Sequence, residues 1–275
     1  MRGVAMVGDT LLPLDTLDPA HLDRGTFYGD GVYDLVRSYA GQLFMLDAHL
    51  ERFRRNLNEI RIEGIDIPTV RERVLRAFAA AAIPDCAVYF HATRGSALRS
   101  HVPAAPIAPN FFLTVTELPD KSHEKRVGIS VITCADTRWK RCDIKSLNLL
   151  PNVLAKLEAQ EKGAAEAILV SDDGVIREGA SSTFFAVFGD TIATHPLGTE
   201  ILPSITRLVL VRIAAKLGIK IEERTLTPLQ AAAADELFIG SSTADLIPVT
   251  VFDGIPIGTG NPGAITRRLM QEFTT

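Results

Sequence analysis

The 275-residue chain is 47% hydrophobic and 23% charged, an ordinary globular composition that excludes a disordered tail or a fibrous repeat. Its 29 Lys and Arg against 33 Asp and Glu give a formal charge of −4, so it offers no bulk attraction to nucleic acid or anionic membrane, and any phosphate it binds must be held locally. No apolar run approaches the ~18 residues of a membrane span, no signal-peptide core follows Met1-Arg2-Gly3-Val4, and Cys86, Cys134 and Cys142 are too scattered for a disulfide framework, so the expectation is a soluble cytoplasmic protein.

In chain order, the first 118 residues read as a mixed α/β unit. Leu46, Leu50, Phe53, Leu57 and Ile60 recur at helical spacing, with Arg52, Arg54, Arg55 and Glu59 assigned to the polar faces. A second helix follows Pro68-Thr69, with Thr69 as its expected cap and Val70, Val74, Leu75 and Phe78 facing inward. Strand patterns occupy 42–46, 86–93 and 110–116. The polar, proline-containing stretch from Leu118 to Lys125 reads as a linker. Expected domains are therefore 1–118 and 127–275, joined by a linker at 119–126.

The second part reads as strands at 127–134, 166–170, 183–188, 236–240 and 248–252, interrupted by helices. One helix spans 153–162 and stops at Gly163. Another spans 204–217 and stops at Gly218, the residue a left-handed helix end favours. Thr227-Pro228 opens a third, short helix. The fold class is α+β in two domains.

Several familiar motifs fail. Gly258-Thr259-Gly260-Asn261-Pro262-Gly263 matches GxGxxG, but the chain ends at Thr275, without the βαβ unit that a dinucleotide site needs. It reads as a turn. The six histidines lie far apart, which predicts no metal cluster. The richest stretch runs from Arg138-Trp139 to Asp143-Ile144-Lys145-Ser146-Leu147-Asn148. Lys145 fits either a lysine snorkelling at a helix entrance or one desolvated enough to form a Schiff base, and its context alone does not choose. Glu178-Gly179-Ala180-Ser181-Ser182-Thr183 combines an acid, a glycine and small donors, and fits a solvated hairpin equally well. Gly240-Ser241-Ser242-Thr243 ends an apolar strand, where small hydroxyls can hold a phosphate or simply turn the chain.

Taken in order, Asp23-Arg24-Gly25, Gly29-Asp30-Gly31-Val32-Tyr33, Thr93-Arg94-Gly95, Arg138-Trp139, Asp143-Ile144-Lys145-Ser146-Leu147-Asn148, Glu178-Gly179, Thr206-Arg207 and Asp235-Glu236-Leu237-Phe238 form a specific set. The set resembles the fold type IV pyridoxal-phosphate enzymes over roughly 23–253. These include branched-chain aminotransferases, D-amino acid aminotransferases and aminodeoxychorismate lyases. The resemblance implies a smaller N-terminal α/β domain, a larger domain with a barrel-like sheet, and pyridoxal 5′-phosphate as cofactor. Lys145 would be both the Schiff-base lysine and the proton carrier, and Glu178 the acid facing the pyridine nitrogen. Arg52, Ser242 and the amides of Ile205 and Thr206 would hold the phosphate, with Ser181 and Ser182 near the cofactor. An R-x-H at Arg99 and His101, with Tyr33, matches the carboxylate trap of D-amino acid aminotransferases. In that family the loop at 94–101 reaches the neighbouring subunit's site, which implies a homodimer. The implied reaction is transfer from a D-amino acid such as D-alanine to a 2-oxo acid such as 2-oxoglutarate, by a ping-pong route through a pyridoxamine form. Branched-chain L-amino acid transfer, (R)-amine transfer, the lyase reaction and a non-catalytic carrier are the alternatives. Ala180, Thr183, Pro151 and Pro203 depart from the family pattern.

Overall fold

Residues 3–273 are described by a computed structural model. It opens with a hairpin of β1 (Val4–Val7) and β2 (Thr10–Pro13), followed by two 3-10 turns. Asp23 then caps the short helix α1 (Arg24–Tyr28), which ends at Gly29 with φ +62°. A Cβ at Gly29 would sit 2.4 Å from Asn148 Oδ1, so both the turn and the close approach require glycine there.

Strand β3 (Gly31–Tyr39) turns Val32, Asp34, Val36 and Ser38 inward. It pairs with the two-residue β4 (Gln42–Leu43) on one side and on the other with β5 (Cys86–Thr93), which pairs with β6 (Asn110–Glu117). Helices α2 (Leu46–Glu59) and α3 (Ile67–Ala81) cover this four-stranded sheet. Leu50, Phe53, Leu57, Val70 and Val74 share a core with Val36, Val88 and Phe90. The Phe53 and Phe90 rings meet edge to face at 5.0 Å.

Three local expectations need correction here. The strand expected at 42–46 stops at Leu43, because Met45 turns left-handed (φ +54°) to start α2. The cap of α3 is Asp66, whose carboxylate accepts from both the amide and the hydroxyl of Thr69. Leu75 faces solvent, one residue (about 100° of helix) beyond the buried Val74.

The stretch read as a linker contains helix α4 (Ser122–Val127), and Lys125 bonds Asp245 Oδ2 at 2.6 Å. Gly128 follows, so β7 (Ile129–Ala135) starts two residues later than expected. Next come α5 (Leu150–Glu161), β8 (Glu166–Val170), β9 (Ile176–Gly179), β10 (Thr183–Phe188) and β11 (Thr191–Thr194). Pro151 sits in the first turn of α5, which starts one turn earlier than the sequence suggested. The chain finishes with α6 (Ile205–Leu217), β12 (Lys220–Glu223), α7 (Pro228–Ala232), β13 (Glu236–Ser241), β14 (Asp245–Phe252), β15 (Ile255–Pro256) and α8 (Ala264–Phe273).

These strands form one sheet in the order β12-β11-β10-β13-β14-β7-β8-β9, with β15 on β14. The sheet curls back on itself. Strands β9 and β10 are far apart along that order yet joined by a three-residue turn, across which Gly179 and Ser182 exchange backbone hydrogen bonds of 2.7 and 3.4 Å. Strand β10 is buried on both faces. Phe184 joins the core inside the curl with Leu237 and Val249, while Phe185 packs outward with Leu210 of α6 and Leu269 of α8.

Candidate active site

A cavity of about 620 Å³ opens where the N-terminal sheet meets the curled one. Tyr33 and Arg52 line it from the N-terminal side, and Lys145, Glu178, Ser204 and Ser242 from the other. The lysine is placed by backbone pairing. The Tyr33 amide donates to Lys145 O at 3.0 Å and the Leu147 amide to Gly31 O at 3.0 Å, so 145–147 lies against β3 like an added strand. That register sends the Lys145 side chain into the cavity, where its amine donates to Tyr33 Oη at 3.1 Å and lies 4.2 Å from the centre of that ring.

Glu178 is the penultimate residue of β9 and is 5% exposed. One oxygen accepts from Arg138 Nη1 at 2.6 Å, and the Leu202 amide lies 3.2 Å from both. Burial pushes the Glu178 carboxyl above its ordinary range, although Arg138 and the Leu202 amide pull against the shift. Asp136 holds the Arg138 fork through Nε at 2.9 Å and Nη2 at 2.8 Å. Sequence reasoning gave Arg138 no role and passed over Asp136; the Asp-x-Arg spacing was the available signal.

Arg52 was assigned to the polar side of its helix, but it is buried (7% exposed) and faces the sheet. Its guanidinium spans Asp34, with Nε to Oδ2 at 2.9 Å and Nη2 to Oδ1 at 2.7 Å, and Nη1 donates to Pro203 O at 3.2 Å. His49, one helical turn earlier, places Nδ1 2.7 Å from Asp34 Oδ1. Burial alone would raise the Asp34 carboxyl, yet Arg52 and His49 together hold it well below the usual carboxylate range. Burial dominates for His49 and pushes its imidazole down despite Asp34. Neither Asp34 nor His49 was foreseen.

Ser204 caps α6 by accepting from the Arg207 amide at 3.2 Å. No backbone bond among the described residues uses the amides of Ile205 and Thr206, the free donors expected of a helix start. Gly240 lets β13 approach that end: a Cβ there would come 2.9 Å from Thr206 Cγ2. Ser242 follows in the turn to β14. Ser181 and Ser182 line the cavity, but their hydroxyls donate to buried Glu166 Oε2 at 2.5 and 3.1 Å.

Neither Arg99 nor His101 lines the cavity that holds Lys145. His101 lines a neighbouring cavity of about 530 Å³ with Arg24 and Tyr28, which shares Trp139, Ser146 and Asn148 with the first, and the Arg99 guanidinium lies 5.4 Å from the Tyr28 ring centre.

The family model for amino-transferase class IV matches residues 31–252, from the first residue of β3 to the last of β14. The chain belongs to the class IV aminotransferases. It is 41% identical over 256 residues to a D-alanine aminotransferase of Bacillus licheniformis, covering 91% of this chain and 89% of that one. With a D-alanine aminotransferase of Staphylococcus aureus (strain N315) the identity is 39% over 275 residues, covering 99% and 97%. Among solved structures, a T.th. branched-chain amino acid aminotransferase with pyridoxamine 5′-phosphate superposes with a TM-score of 0.86 at 25% identity, covering 99% and 93%. The Escherichia coli branched-chain enzyme gives 0.87 at 23% identity, covering 96% and 91%, a likeness of fold. The expected fold type IV architecture is therefore present, and the enzyme is a pyridoxal-phosphate-dependent aminotransferase. The donor set suits that group. Free amides, a hydroxyl and a guanidinium match a phosphate dianion, a buried carboxylate matches a protonated ring nitrogen, and a primary amine opens into the same cavity.

Proposed function

We propose that this aminotransferase moves the amino group of D-amino acids, D-alanine among them, to a 2-oxo acid such as 2-oxoglutarate, as a cytoplasmic homodimer divided into two domains at 119–126. The observation that carries the reading is the Lys145 amine, seated against Tyr33 in a cavity it shares with Glu178 and the start of α6. The D preference rests on the near full-length D-alanine aminotransferase relatives and on the Arg99-x-His101 pair. The branched-chain enzymes among the structural neighbours stand at 23–25% identity and support the shared scaffold.

Bound pyridoxal phosphate supplies an aldehyde for the amino group and a ring that takes up the electron pair left at the substrate α-carbon. Lys145 Nζ carries the proton away from that carbon and returns it, and the Tyr33 hydroxyl orients the amine. Glu178 holds a proton on the ring nitrogen. Arg52, Ser242 and the Ile205 and Thr206 amides hold the phosphate; Asp34 fixes the guanidinium. Arg99 and His101 of a second copy grip the α-carboxylate, which sets the Cα–H bond relative to the ring.

The test is the holoenzyme's visible absorption with D-alanine or L-leucine added. D-alanine should deplete the cofactor's band much faster than L-leucine; a preference for L-leucine ends the assignment. Lys145→Ala should lack the response, with a turnover loss of about 10³-fold or more. Glu178→Gln should lose about 10²-fold.

A further inference from the structure

We propose that Arg24, which has no role in the chemistry above, is the positioning residue that builds the substrate-carboxylate grip by fixing the backbone of the 99–101 loop. The proposal rests on the D-amino acid reading and deepens it. The loop needs such support, because no helix or strand lies between β5 and β6 and both Arg99 and His101 are exposed. Arg24 is 3% exposed. Its Nη1 donates to Ser100 O at 2.5 Å and its Nη2 to His101 O at 2.8 Å, across more than seventy residues of sequence. Its Nε bonds Asp30 Oδ2 at 2.8 Å, and the same carboxylate accepts from Arg94, whose Nη1 and Nη2 donate to Arg61 O and Ile60 O. A rigid fork on two successive carbonyls fixes the peptide plane between Ser100 and His101, and with it the directions of the flanking side chains.

Tyr28 completes the support. Arg24 Cζ lies 4.8 Å from its ring centre, Arg99 Cζ 5.4 Å, and the His101 ring 5.4 Å. One aromatic ring thus meets the buried arginine and both carboxylate-facing side chains. Because Arg24 is engaged with Asp30 and two carbonyls, it stabilises the loop without itself reaching substrate. Its effect should fall on substrates that carry the carboxylate and spare those that lack it.

The experiment compares D-alanine with D-alaninamide, which keeps the amine and α-carbon and replaces the carboxylate by a neutral amide. The readout is the rate of change of the holoenzyme's visible absorption at limiting substrate, on wild type, Arg24→Met and Arg24→Lys. Arg24→Met should slow D-alanine tenfold or more at limiting substrate and far less when the measurement is repeated at saturating D-alanine, and should slow D-alaninamide less than twofold. Equal losses on both substrates, or no loss on either, overturn the proposal. If the Met variant does not accumulate folded, Arg24→Lys decides by the same ratio, since an ammonium cannot span both carbonyls. Arg99→Met separates the two levels. If it leaves the preference for D-alanine over the amide intact, the carboxylate reading of the loop fails; if it removes the preference and the Arg24 variants do not, only the present inference fails.

Discussion

Asp34 fixes Arg52, one of the arginines that line the cavity around Lys145. Its two oxygens bind Arg52 and His49, and it is fully buried. Its folded-state pKa lies below its unfolded value, so its charge contributes stability that is fully present above about pH 4 and is lost as pH falls below that. Asp34→Asn should therefore cost about 3 kcal/mol at neutral pH, because it leaves the buried guanidinium without its counter-charge. Urea unfolding of the cofactor-free protein should show that gap constant down to about pH 4 and narrowing below it. A gap that grew in acid would refute the assignment. The stretches around Lys145 and Glu178-Gly179 stood out in the sequence, but only the family resemblance chose between their readings. Residues whose meaning comes from contact between elements were not legible. Arg52 was placed on the polar side of its helix and owed its expected role to the resemblance alone, because nothing in α2 itself reveals an aspartate on β3; His49 gains its partner only when that strand is in place.

Among elements, α6 carries the clearest local logic. The helical run and Gly218 as its stop were read from the chain, and the structure agrees, with Ser204 as the cap and Ile205 as the first helical residue. Asp caps a helix about as well as Ser, so Ser204→Asp should keep the thermal midpoint of the cofactor-free protein. Ser204→Ala should lose about 1 kcal/mol. The added carboxylate would oppose the phosphate dianion, and a cofactor titration should show Ser204→Asp binding on the order of tenfold more weakly. Unchanged binding would move the phosphate away from this helix end. Strand β3 shows the opposite case, since no strand was assigned there. Its buried positions alternate Val32, Asp34, Val36 and Ser38, and the two polar members break the apolar alternation by which a half-buried strand is recognised. The first turn of α5 was missed although Leu150, Val153 and Leu154 already stand at helical spacing in the sequence; in the structure all three are exposed.

For the whole molecule, the question is whether the Arg99–His101 loop, which does not line the Lys145 cavity of its own chain, serves that of a second copy. If two copies complete each other's sites, Lys145→Ala and Arg99→Met are individually impaired but complementary. Refolding an equal mixture should give half mixed dimers with one intact site each, and so recover about a quarter of wild-type activity. Recovery no greater than the sum of the separate variants would confine the site to one chain. The curl of the large sheet was beyond sequence reading. It depends on the parallel pairings of β14 with β7, β7 with β8 and β11 with β12, which join segments far apart along the chain.

The turn bearing Ser242 lies between the last two long strands of the curled sheet, while Arg52 and Tyr33 belong to the first quarter of the sequence. During synthesis the N-terminal sheet can assemble early, since its strands and helices are close neighbours in the sequence. The cavity around Lys145 lacks the wall formed by Gly240, Ser241 and Ser242 until β13 has left the ribosome. If that wall holds the coenzyme, capture is reserved for chains that are almost complete, and a polypeptide truncated before that point should retain it poorly.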